Sequence, residues 1–220
     1  MSRPIKIDFV SDVACPWCAV GLRALEEAMA RIRGLQAELH FQPFELNPQM
    51  PADGEDAVEH LTRKYGISAE QAARNGEAIR VRGAELGFEF RMDRRRRVYN
   101  TFDAHRLLHW AGLADPERQL ALKHALLRAY FTDGKDVSSM EVLVKSAEEA
   151  GLDGVRARQL LASDEYAQAV RDQERHYTEQ GISAVPSVIF NDRHLVQGGQ
   201  PVELFEQALR QLSGIAPAQA

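Results

Sequence analysis

Ile5-Lys6-Ile7-Asp8-Phe9-Val10 runs through Ser11-Asp12-Val13-Ala14 into Cys15-Pro16-Trp17-Cys18, and this stretch decides how the chain folds. Ile5, Ile7 and Phe9 share one face of a period-two segment, which predicts a strand ending at Val10. After a short turn, Leu22, Leu25, Met29 and Ile32 recur at helical spacing, so a helix is expected from Pro16 to Arg33, stopping at Gly34. Leu39 and Phe41 mark a second strand. Pro43 cannot donate a ladder hydrogen bond, which places that strand on the sheet edge or near its end. The opening is therefore β-α-β.

From Pro48 to Gly181 nearly every segment carries helical periodicity, with apolar stripes such as Leu120, Leu127 and Phe131, or Val170 and Tyr177. Ser68-x-x-Gln71 and Ser138-x-x-Glu141 read as capping boxes. Gly66, Gly87, Gly112, Pro116, Gly134 and Gly151 divide the region into about six short helices. Ser187 to Phe190 and His194 to Val196 then read as a hairpin around Asn191-Asp192, and a last helix from Pro201 to Leu212 precedes a frayed tail from Gly214 to Ala220. The predicted class is α/β. Residues 1–47 and 182–214 form one discontinuous domain, β-α-β at the start and β-β-α at the end, with residues 48–181 inserted as an all-helical domain.

A chain of 220 residues, 45% hydrophobic and 27% charged, fits an ordinary globular protein of one large or two intimate domains. The start, Met1-Ser2-Arg3-Pro4, leads into alternating residues without an apolar h-region, so a cytoplasmic location is expected. No apolar run approaches the roughly 18 residues of a membrane span. A net charge of -5 gives no general reason to bind nucleic acid. The basic run of Arg91 and Arg94 to Arg97 reads more readily as a solvated loop or helix end than as a holder of a substrate carboxylate.

The chain has two cysteines, spaced as Cys15-x-x-Cys18, so a disulfide-stapled scaffold is excluded and the pair acts together. Where a strand hands over to a helix, Cys15 falls at the helix N-terminus, whose unpaired amides and dipole favour an anion. The thiolate is the nucleophile in disulfide exchange, so such a site suits attack at neutral pH. Pro16 fits the first helical turn, and Cys18, one turn on, is placed to resolve a mixed disulfide. Half a zinc site is the rival reading, but two further ligands are wanted, and His105 and His109 would have to fold back onto the loop. No metal is assigned.

Asp12-Val13-Ala14-Cys15-Pro16-Trp17-Cys18, Phe44-Glu45-Leu46-Asn47-Pro48, Asn100-Thr101-Phe102-Asp103-Ala104-His105-Arg106-Leu107 and Gly181-Ile182-Ser183-Ala184-Val185-Pro186 together resemble the DsbA-like thioredoxin superfamily, in its FrnE-like cytoplasmic branch. The resemblance implies a thioredoxin-like fold with a large helical insertion. It also implies a cis bond from Val185 to Pro186 lying against the cysteine pair, with the Val185 backbone free to pair with an extended substrate. Read from residues alone, Pro186 is just a strand-start proline, permitted there for its missing N–H. Trp17 is a candidate apolar shoulder for substrate or a packing residue, and Asn100 and His105 match the family pattern as cleft-lining residues. Asp8 or Asp12 is a candidate acceptor of the Cys18 proton or a solvated carboxylate.

The expected activity is thiol-disulfide exchange with a protein or small molecule, Cys15 attacking and Cys18 resolving. The redox-active pair serves in place of a cofactor, and glutathione is a candidate co-substrate. Neither nucleic acid nor membrane is an expected partner. The enzyme rival is the kappa-class glutathione transferase and hydroxychromene-carboxylate isomerase group, which resembles the same architecture but typically has serine where Cys15 stands. A zinc-binding chaperone-like module is the non-enzyme rival.

Overall fold

The computed structural model describes residues 4–216, so the expected start at residues 1–3 and the last four residues of the expected tail lie outside the described residues. A mixed four-stranded sheet is built from β1 (Ile5–Ser11), β2 (Ala37–Pro43), β5 (Ser187–Phe190) and β6 (His194–Gln197), in the order β2-β1-β5-β6. β1 lies parallel to β2, with Ile5 opposite Ala37 and Ser11 opposite Pro43, and antiparallel to β5, with Phe9 opposite Val188. Pro43 thus ends an edge strand, where a missing N–H breaks no ladder. The hairpin turns at Asn191 and Asp192, both at positive φ (52° and 58°), and Arg193 N–H closes it on the Phe190 carbonyl at 3.1 Å.

Helix α1 (Pro16–Ala30) is shorter than its apolar spacing predicts. It ends at Arg31 because residues 31–34 turn out of the helix, although Ile32 remains buried in the core. Helix α9 (Val202–Ser213) closes the β-β-α half and is ended by Gly214 at positive φ.

Between β2 and β5 the described residues form seven helices: α2 (Ala57–Tyr65), α3 (Ala69–Glu85), α4 (Phe102–Ala114), α5 (Pro116–Phe131), α6 (Met140–Glu149), α7 (Gly154–Leu161) and α8 (Ala167–Glu179). The segment is not all-helical. β3 (Glu55–Asp56) and β4 (Arg97–Val98) pair antiparallel, a two-residue ladder with no apolar alternation to announce it. Ser68 caps α3 as expected, accepting the Gln71 N–H at 3.2 Å. Ser138 does not cap α6. The cap position falls to Ser139, while Ser138 turns its hydroxyl onto Asp136.

One apolar core continues from the sheet into the inserted helices, with Phe9, Leu22 and Phe190 in the same buried cluster as Leu107, Leu126 and Leu160. The edge of β2 is covered by α5. Gln119, buried, accepts the Phe41 N–H at 3.0 Å and donates to the Phe41 carbonyl at 3.2 Å and the Leu108 carbonyl of α4 at 3.0 Å. Its amide acts as a one-residue strand, satisfying an edge that burial would otherwise leave unpaired. The basic run has local work: Arg95 donates to the Tyr130 hydroxyl, Arg97 to the Asp53 and Gly54 carbonyls, and Arg91 pairs with Asp93.

A second clasp sits where β1 meets α1. The Asp12 carboxylate, 1% exposed, accepts the Ala14 N–H at 3.1 Å and the Leu46 N–H at 2.7 Å, joining the cysteine loop to the segment after β2. Gln119→Leu leaves buried backbone groups of β2 unpaired and should cost about 1–3 kcal/mol in urea unfolding. An unchanged midpoint would show that the amide clasp holds nothing. Asp12→Ala should destabilise by a similar amount, with Asp12→Asn intermediate because its one oxygen can still accept; equal midpoints for the two variants would contradict the two-amide role.

Candidate active site

Cys15 is the N-cap of α1, extended at φ -90° and ψ 114°. Pro16 occupies the first helical position, where an N–H is not needed. The Cys18 N–H donates to the Cys15 carbonyl at 3.1 Å, tightening the first turn. Cys18 is fully covered and Cys15 is only 4% exposed, so its sulfur is less open than its place at a helix end suggests.

The two thiols ionise in opposite senses. The Cys15 thiol is held below the ordinary thiol range, first by the hydrogen bond from the Cys18 S–H; burial and the Asp12 charge oppose this, while the Cys18 and Trp17 amides add to it. The helix end therefore helps the thiolate, but the neighbouring thiol does more. Burial pushes the Cys18 thiol well up, as do its hydrogen bond to Cys15 and the charge there, against a smaller pull from Lys123 and the Asp12 amide. One proton is thus kept on Cys18 so that Cys15 can lose its own.

Val185 and Pro186 complete the wall, joined by a cis peptide bond. The Val185 carbonyl lies 3.5 Å from the Cys15 sulfur, which donates to it as a thiol. Pro186 packs on α1 at Gly21, where an added Cβ would come within 3.0 Å of the proline ring. Trp17 is 41% exposed beside the pair, with its ring against Gly199, where an added Cβ would meet it at 3.0 Å. Cys15, Cys18, Trp17, Val185 and Pro186 form one constellation at the end of α1.

Asn100 and His105 each make local contacts at the start of α4. The Asn100 side-chain oxygen accepts the Phe102 N–H at 2.9 Å, closing the turn into α4. His105 is 3% exposed and lies behind the pair, its Nε2 3.6 Å from the Asp12 carboxylate, long for a hydrogen bond. Asp8 is held by Gln42 at 2.7 Å and Lys6 at 2.9 Å. Asp12 adjoins the pair, its carbonyl accepting the Cys15 N–H at 3.3 Å. Burial pushes the Asp12 carboxyl up, but His105 and the Leu46 and Ala14 amides outweigh it, leaving the group below its usual range. It is a buried carboxylate, not the solvated one its place in a turn suggests.

Three neighbours were not singled out in the sequence. Lys64, at the end of α2, donates to the Leu46 carbonyl at 2.8 Å and the Asn47 side chain at 2.7 Å, and the charge of Cys15 acts on both Lys64 and the half-exposed Tyr65. Lys123 of α5 is wholly buried. Burial lowers its ammonium below the usual lysine range, against the charges of Cys18, Asp12 and Cys15. Its signal was its place on a buried helix face, four residues after Gln119 and four before Leu127. Among the described residues, no group of three His, Cys, Asp or Glu side chains is placed to hold a metal.

Known proteins share this fold over nearly the whole chain. The chain is 29% identical over 206 residues to the uncharacterized protein YwbO of Bacillus subtilis, covering 93% of this chain and 96% of that one. It superimposes on the crystal structure of a probable DsbA oxidoreductase from Streptomyces coelicolor with a TM-score of 0.87 and 36% identity, over 98% of this chain and 93% of that one. It also shares the fold of the cytosolic disulfide reductase DsbM of Pseudomonas aeruginosa, solved with GSH, at a TM-score of 0.64 and 17% identity, covering 94% and 99% of the two chains. Residues 6–210 match the DSBA-like thioredoxin domain, and the chain belongs to that family.

Proposed function

We propose that the protein is a thiol-disulfide oxidoreductase in which Cys15 exchanges with a substrate disulfide or thiol and Cys18 resolves the mixed disulfide. The observation that carries this reading is the placing of two adjacent sulfurs at the start of α1, with the Cys15 sulfur 3.5 Å from the Val185 carbonyl. A Cys15 thiolate attacks a substrate sulfur, and the substrate's other sulfur leaves as a thiolate. Cys18 then attacks Cys15, closing the protein disulfide and releasing reduced substrate. The same steps run backwards, so the relative potentials of pair and substrate set the direction. Val185 offers backbone beside Cys15 to an extended peptide, and Trp17 offers an exposed apolar face.

The buried and nearly buried sulfurs favour substrates that present their own sulfur on a protruding or flexible segment. Glutathione meets that description, and the solution of DsbM, a protein of the same fold, with GSH supports it as co-substrate. The pair itself is the redox group, and we place the activity in a reducing compartment, the cytoplasm. A transferase or isomerase working on a glutathione conjugate would need no second sulfur, so the proton-sharing Cys18 speaks for exchange.

Cys15→Ser should abolish insulin reduction and glutathione exchange, whereas Cys18→Ser should accumulate a Cys15 mixed disulfide detectable by mass. Full activity of Cys15→Ser would overturn the assignment of the nucleophile. In the reduced wild type, iodoacetamide should label Cys15 at neutral pH and leave Cys18 unlabelled until the chain is denatured; equal labelling of both would contradict the opposed ionisation.

A further inference from the structure

Five arginines stand within residues 91–97, and the fold employs three of them. Arg91 pairs with Asp93, Arg95 lies over the Tyr130 and Phe131 rings, and Arg97 donates to the Asp53 and Gly54 carbonyls. Arg94 and Arg96 are exposed and make no side-chain hydrogen bond or ion pair among the described residues. In a chain of net charge -5, two neighbouring cations left without an acid are not explained by the fold. The turn that carries them is held on both sides. The Arg96 carbonyl accepts the Ala57 N–H at 2.9 Å, and the Arg91 N–H donates to the Phe131 carbonyl at 2.8 Å. At Gly134 an added Cβ would come within 2.6 Å of the Arg94 carbonyl oxygen. Arg94 and Arg96 therefore stand on fixed backbone.

This ridge lies at one end of α2, and the cysteine loop lies at the other. Ala57, which meets Arg96, begins the helix. In its last turn Lys64 donates to the Leu46 carbonyl at 2.8 Å, and the Leu46 N–H donates to Asp12, which also holds the Ala14 N–H next to Cys15. The nine residues of α2 span about 13 Å, the length of about four residues of extended chain. Val58 and Tyr65, 48% and 55% exposed and seven residues apart on one helix face, lay an apolar stripe along the same path. The charges of Cys15 and Arg95 both act on Tyr65, so that residue stands between the site and the ridge.

We propose that Arg94 and Arg96 dock an acidic segment of a protein substrate whose cysteine, about four residues away along α2, is engaged by Cys15. This inference rests on the exchange reading above and names its substrate class. Two exposed guanidiniums offer carboxylates charge-assisted hydrogen bonds, and the stripe of Val58 and Tyr65 receives the apolar residues between the acidic block and the cysteine. The net negative charge of the chain turns acidic substrates away elsewhere, so the ridge selects which part of such a substrate comes to rest beside the pair. A nucleic acid is the less fitting polyanion, because its unbroken phosphate charge meets two free arginines on a chain that repels it overall.

The test uses synthetic peptides with a single cysteine carried as its 2-pyridyl disulfide, and a block of aspartates or of asparagines beginning about four residues before or after it. Attack by Cys15 of the reduced protein on the peptide sulfur releases pyridine-2-thione, read by absorbance. In one of the two chain directions the aspartate peptide should react roughly threefold to tenfold faster than its asparagine twin at low salt, and the ratio should fall towards one at about 0.5 M salt. The double variant Arg94→Gln, Arg96→Gln should bring the ratio to about one, and Arg94→Lys, Arg96→Lys should keep most of it. A variant that is merely less stable slows both peptides and leaves their ratio, so the ratio separates docking from folding. Equal rates for the twins in the wild type, or a preference that survives in the glutamine variant, would overturn the inference while leaving the exchange reading intact. A short RNA held more tightly than the aspartate peptide, and released by the glutamine variant, would overturn it in favour of a nucleic-acid site. Absence of thione release from every peptide would overturn the exchange reading and this inference together.

Discussion

A single proton shared between two sulfurs sets the terms for the rest of the structure. The hydrogen bond from the Cys18 S–H is the largest influence holding the Cys15 thiol down, while burial pushes both thiols up. The fold is arranged to keep that hydrogen bond. β1 delivers the chain to the start of α1, Pro16 begins the helix, and the first turn brings Cys18 beneath Cys15. The Val185 carbonyl and Pro186 close the opposite side, with Gly21 giving the proline ring room to sit on α1.

The inserted helices take part in the site as well as covering the sheet. Gln119 pairs the free edge of β2, and one turn further along the same helix Lys123 lines a small cavity with Phe41 and His105. Asp12 ties the cysteine loop to Leu46, and Lys64 of α2 holds the same segment from outside. The polar groups under the pair thus come from both parts of the chain, and the continuous apolar core fixes their spacing. Burial of these groups, costly for stability, lowers the Lys123 ammonium and raises the Cys18 thiol.

Where local pattern and global packing agree, the structure was legible in the sequence. The strand of Ile5, Ile7 and Phe9, the edge position signalled by Pro43, the hairpin at Asn191-Asp192 and the strand-to-helix place of Cys15 all follow from period, turn chemistry or a missing N–H. Ile32 carries the apolar spacing past the true end of α1, because an apolar residue can be buried from a turn as well as from a helix. Ser138 and Ser139 are both capping residues by type, and Asp136 decides between them. β3 and β4 carry no alternation, since two residues on each side pair only because the chain returns there. His105 looked like a cleft residue and Asp12 a solvated one; their burial against each other comes from the docking of α4 on the cysteine loop, which no local pattern encodes.

The most direct test of the shared proton is a pH titration of thiolate absorbance in the reduced protein, with the oxidised protein as reference. One thiolate should appear well below the ordinary thiol pKa of about 8.5 and the second only far above it. Two thiolates appearing together near the ordinary value would contradict the sharing.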